Sequence, residues 1–104
     1  MGQIQKSNEA ARTIENFLNN AICLERRVRS LSEKLQAVDE LDIDPVTREQ
    51  VRAIREKNLG AQRSEALGSL DSMVREVRNL KAIDCETFEH SMEELTRRIK
   101  EMPQ

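Results

Sequence analysis

The chain has 104 residues, with 19 acidic and 17 basic side chains and a formal net charge of −2. Charged residues make up 35% of it, Trp and Tyr are absent, and Gly and Pro together number five. This composition excludes collagenous, disulfide-framed and all-β architectures, and the length suits one small domain spanning residues 1–104.

Two breaks divide the sequence into three expected helices, about Asn8–Leu41, Pro45–Leu80 and Cys85–Met102. At the first break, Asp44 suits an N-cap and Pro45 the first helical position, where no N–H partner is needed. At the second, Asp84 is expected to cap, with Glu86 well placed in the first turn. Both chain ends, Met1–Lys6 and Pro103–Gln104, are expected to fray.

The first helix places Ile14, Ala21, Val28 and Leu35 at one heptad position. Phe17, Leu24, Leu31 and Val38 fill its partner position. This unbroken 3-4 spacing predicts a coiled-coil seam centred on Leu24 and Leu31. Leu18 and Ile22 widen the apolar face of the first half, which is therefore expected to touch two neighbouring helices. The second helix is more apolar in its second half, with Ala66, Leu67, Leu70, Met73, Val74, Val77 and Leu80. The third carries a short seam of Phe88, Met92, Leu95, Ile99 and Met102. The fold class expected is all-α, an antiparallel three-helix coiled-coil bundle of two long helices and one short one. The short helix would cover the start of the first helix and the finish of the second.

The uncovered end would display Val28, Leu31, Leu35, Val38, Leu41, Ile43, Val46, Val51 and Ile54. These nine residues are the candidate self-association surface, and a symmetric homodimer is the expected closed solution. A second candidate is the row Gly60, Ser64 and Gly68, at small-xxx-small spacing inside the second helix. It reads as a close helix-crossing row, as a tolerated pair of weak helix positions, or as a kink.

Residue types that carry chemistry are sparse. His90 is the single histidine, and Glu86, Glu93 and Glu94 near it do not make the paired Glu-x-x-His sets of a di-iron bundle. Asp39, Glu40, Asp42 and Asp44 lack the glycine and distal glutamate of a calcium loop. Cys23 and Cys85 form no CxxC motif, and Asp84 and Glu86 oppose any thiolate at Cys85. No catalytic pair, cofactor or metal is therefore expected.

Arg48, Arg52 and Arg55 form one basic row, Arg75, Arg78 and Lys81 another, and Arg26, Arg27 and Arg29 a third patch. Glu49, Glu56 and Glu76 stand within helical reach of these arginines, so salt-bridged, solvated faces are the expected reading. The alternative is a small regulator that binds nucleic acid through the Arg48–Arg55 row. The acidic balance and the lack of Trp and Tyr weigh against that alternative. No run of eighteen apolar residues occurs, and the opening residues lack the apolar core of a signal peptide, so a cytoplasmic protein with no membrane partner is expected.

Five short segments bear on kinship: Leu24-Glu25-Arg26-Arg27-Val28 ending at Leu31, Arg48-Glu49-Gln50-Val51, Leu59-Gly60, Val77-Arg78-Asn79 and Glu86-Thr87-Phe88-Glu89-His90. In content and order they resemble the N-terminal coiled-coil region of the second-member type of BAG-family co-chaperones. The resemblance spans most of the chain. It implies a dimerising, client-related helical domain whose partners are the seventy-kilodalton heat-shock chaperone or its clients. It does not extend to that family's chaperone-contacting C-terminal module, which puts nucleotide-exchange activity in doubt here. The function expected is a non-enzymatic, self-associating adaptor or co-chaperone-like module.

Overall fold

The computed structural model describes residues 2–80 and 85–103, with side chains from Asn8 onward. The described residues form an all-α structure of three helices: α1 (Gly2–Gln36), α2 (Pro45–Leu80) and α3 (Glu86–Glu101). A short 3-10 segment, Ala37–Glu40, follows α1. The molecule measures 67 × 17 × 16 Å, so it is a rod set by the length of α1 and α2.

The helix boundaries reflect local chemistry. Asp44 caps α2 as expected: its carboxylate accepts from the Thr47 backbone N–H at 3.1 Å and from the Thr47 hydroxyl at 2.5 Å. The side-chain bond from Thr47, then the backbone bond, lowers the Asp44 pKa below its ordinary value. Stability from this cap is therefore full above the unfolded carboxylate value, about 4, and is lost as pH falls through the lower folded value. Asp44→Ala is expected to melt earlier than wild type at neutral pH, with the gap closing in strong acid. Thermal melts of both proteins at the two pH values test this; an equal gap in acid would exclude a role for the charge.

Four boundaries differ from expectation, one of them the end of α3 at Glu101 rather than Met102. α1 starts at Gly2 rather than Asn8, and it tightens into the 3-10 segment before Leu41. There the Leu41 N–H donates to the Val38 carbonyl at 3.1 Å, the i→i+3 bond that commonly closes a helix end. α3 opens at Glu86, behind Cys85, whose carbonyl accepts from the Glu89 N–H at 2.8 Å. The expected cap Asp84 lies outside the described residues.

One core joins the three helices. Ala21, Val28 and Leu35 of α1 meet Leu59, Ala66, Leu70 and Val77 of α2 and the whole α3 row of Phe88, Met92, Leu95 and Ile99. The α3 seam is as expected, with Met102 half-buried at its edge. The α1 seam is not centred where the heptads put it. Leu24 and Leu31 are half-buried, whereas Glu25 and Ser32 are each only 3% exposed. These two polar residues lie seven apart and share a face with Ala21, Val28 and Leu35. The buried stripe is thus rotated, because α1 packs against α3 as well as α2 and must bury a wider arc than a two-stranded seam.

Polar contacts hold α3 in place. The Arg78 Nε donates to the Glu89 carboxylate at 2.6 Å, joining the end of α2 to the start of α3. That hydrogen bond, with the charge of Glu89, raises the Arg78 pKa. Past the other end of α3, Arg63 donates to the Met102 carbonyl and Ser32 to the Pro103 carbonyl, each at 2.7 Å. Pro103 is therefore tied to α1, against the expectation of a frayed end. Beyond Ser32 and Arg63 the described fold consists of α1, the 3-10 segment and the first part of α2.

Candidate protein-binding surfaces

The nine residues of the first candidate surface do not share one exposed patch. Val28, Leu35 and Val38 are buried. Leu31, Leu41, Ile43 and Val51 are half-buried. Val46 and Ile54, at 67% and 61% exposed, face solvent. The heptad positions of α1 are consumed within the chain, because α2 closes over them even where α3 is absent. What remains outside belongs to α2.

The arginines around the turn explain how that end closes without a third helix. Arg48 donates to the carbonyls of Leu41 and Ile43 at 3.1 and 3.2 Å. Arg55 donates to the Lys34 carbonyl at 2.7 Å, and Arg52 pairs with Asp39. Carbonyls at a helix end lack intrahelical partners, and arginine is suited to satisfy them. The basic row Arg48–Arg55 thus fastens the turn. The expected pairing with interleaved glutamates is replaced by other partners: Arg52 takes Asp39, Arg75 takes Asp71 at 2.9 Å, and Arg78 takes Glu89. Within α1, Arg29 pairs with the buried Glu25. Lys81 lies outside the described residues.

Gly60 is half-buried, and Ser64 and Gly68 are exposed. A Cβ built on either glycine would meet nothing within 4 Å. No close crossing by another segment among the described residues accounts for them, and α2 runs through both without a break.

A feature that periodicity did not reveal is a groove of about 580 Å³ between α2 and α3. Leu67, Leu70, Val74 and Met92 form its apolar floor. Its rim carries both signs of charge, with Asp71, Glu93 and Glu101 beside Arg78, Arg97 and Lys100. Leu67 and Val74 belong to the expected apolar row of α2, but they lie to one side of the buried Leu70 and Val77 and remain half-buried. The sequence signal for it was the width of the α2 apolar row, broader than one neighbour covers.

His90 is exposed, and among the described residues no three of His, Cys, Asp or Glu gather into a metal-holding group. Cys23 is exposed, and the half-buried Cys85 places its Sγ 3.9 Å from a Glu89 carboxylate oxygen. Among the described residues, no helix is long and apolar enough to cross a membrane.

Comparison with protein-family models, curated proteins and solved structures gave no match.

Proposed function

We propose that this chain is a non-enzymatic protein-interaction module, built as an antiparallel three-helix coiled-coil bundle that self-associates and docks a partner helix. The observation that carries this reading is the groove between α2 and α3. It offers the half-buried Leu67 and Val74, above the buried Leu70 and Met92, to the apolar stripe of an amphipathic helix. Its rim of alternating charge suits the charged flanks of such a helix, which set register. The ties Arg78–Glu89, Arg63–Met102 and Ser32–Pro103 support an arrangement in which α3 runs opposite to α2 and alongside α1.

The resemblance to BAG-family co-chaperones makes the seventy-kilodalton heat-shock chaperone, or an unfolded client, the partner class to test first, in a cytoplasmic setting. The nucleic-acid reading draws no support from the Arg48–Arg55 row, whose guanidinium groups are engaged by the turn.

Calorimetric titration of the purified chaperone, and of an unfolded client protein, into wild type and Val74→Glu tests the reading. Saturable binding is expected, weakened about tenfold or more by a charge on the groove floor. Absence of binding by both would remove the co-chaperone reading. Binding unaffected by Val74→Glu would move the site away from the groove.

A further inference from the structure

The rim of the groove between α2 and α3 is charged, and most of that charge is already paired within the chain. Asp71 pairs with Arg75 at 2.9 Å, Arg78 with Glu89 at 2.6 Å, and Arg97 with Glu101 at 3.2 Å. Glu93 and Lys100 are the rim charges without an ion pair or hydrogen bond among the described residues, and both are exposed. They stand seven positions apart on α3, hence about 20° apart around the helix and about 10 Å apart along it.

The α2 side repeats this interval. Leu67 and Val74, the half-buried apolar residues of the groove, are also seven apart. In the antiparallel arrangement proposed above, the ties Arg78–Glu89 and Arg63–Met102 bring Val74 about level with Glu93 and Leu67 about level with Lys100. Each end of the groove therefore offers one apolar residue from α2 and one unpaired charge from α3. The sign of that charge is opposite at the two ends.

We infer that the helix docked in this groove carries one cationic and one anionic side chain seven residues apart, beside its apolar stripe. The inference rests on the docking of a partner helix proposed above and specifies that helix. Spacing selects a helix as the occupant. An interval of seven on both walls is two helical turns, so successive heptad positions of a ligand helix meet Val74 and Leu67 in step. An extended segment rises about 3.3 Å per residue, so residues about three apart would span the same interval and point to opposite faces.

Charge selects which helix. A ligand with like charges at the two positions sets one of them against its own sign. A cation at Glu93 and an anion at Lys100 pair both, and neither rim residue gives up a partner within the chain. The order of the two charges along the ligand fixes its direction in the groove. Exposed pairs add little affinity, so they choose the partner and its direction, while Leu67 and Val74 supply the apolar contact.

Fluorescence anisotropy of three labelled peptides, each of about eighteen residues, tests this on the full chain. The peptides share one leucine stripe. Their two flanking positions, seven apart, carry one Glu and one Lys, two Glu, or two Lys. The proteins are wild type, Glu93→Lys, Lys100→Glu and Val74→Glu. Glu93→Lys and Lys100→Glu alter exposed, unpaired side chains, so their helicity by circular dichroism is expected to match wild type. Wild type is expected to bind the mixed peptide about fivefold more tightly than either like-charged one. Glu93→Lys is expected to shift the preference to the two-Glu peptide, Lys100→Glu to shift it to the two-Lys peptide, and Val74→Glu to weaken all three. Equal binding of the three peptides to wild type, or a preference that neither charge substitution shifts, would overturn the inference. No binding of any peptide, with the chaperone or client still bound, would overturn it and leave the protein-binding reading standing. No binding of peptide, chaperone or client would overturn both. A wild-type dimer in sedimentation equilibrium that Val74→Glu converts to monomer would assign the groove to a second copy and overturn the inference.

Discussion

Leu70→Ala is expected to lower the unfolding free energy by about 2–5 kcal/mol. Leu70 is fully buried on α2, within the core that joins all three helices. Truncating it removes apolar contacts and leaves a cavity that three rigid helices close only in part. For a domain of this size, such a loss is a large share of a total of about 5–15 kcal/mol. Ile99→Ala, at an equally enclosed site on α3, is expected to behave alike. Leu24→Ala is the informative contrast. The heptad pattern makes Leu24 central, but its side chain is half-buried and retains access to water, so its loss is expected to be distinctly smaller. Urea unfolding of the three variants measures the order. A Leu24 variant as damaged as the Leu70 variant would return the seam to its heptad centre.

The second large effect is expected at Arg29. Glu25 is 3% exposed, and its carboxylate is paired with Arg29, whose own side chain is half in water. Arg29→Ala leaves a buried carboxylate without its cation, and a buried polar group without a partner costs about 1–3 kcal/mol. The solvent exposure of Arg29 keeps the effect below that of a fully enclosed pair. Arg26→Ala, on an exposed neighbour, is expected to cost much less. Glu25→Leu combined with Arg29→Ala is expected to regain most of the loss, because an apolar side chain no longer needs the cation. Chemical denaturation of the single and double variants forms the cycle that isolates the pair. Equal losses for Arg26→Ala and Arg29→Ala would show that Glu25 is satisfied by water alone.

These two expectations mark where the sequence was legible and where it was not. Pro45, the capping Asp44 and the α3 row of Phe88, Met92, Leu95 and Ile99 were readable because each depends on residues within a few positions of one another. The all-α class followed from the same local preferences, summed over long helical stretches. The α1 seam was displaced because a heptad describes one neighbour, whereas α1 has two. Glu25 and Ser32 looked like flanking positions, yet both are buried, and Ser32 donates to the Pro103 carbonyl past the end of α3.

The functional surfaces divide in the same way. Composition and spacing alone placed an apolar stripe on α2, the small-residue row Gly60–Gly68 apart from it, and charged rows between them. Which of those residues face inward is a tertiary matter. Val28, Leu35 and Val38 are removed from solvent by the packing of α1 against its neighbours, while Val46 and Ile54 stay outside on α2. The arginines of α2 likewise could have faced solvent, a nucleic acid or a glutamate one turn away. The geometry of the turn turned Arg48 and Arg55 toward carbonyls of the preceding segment, groups that no charge pattern records. The groove between α2 and α3 is of the same kind. Periodicity measures how apolar a face is along one helix, but the gap between two helices is set by the side chains of both and by the third helix that holds them.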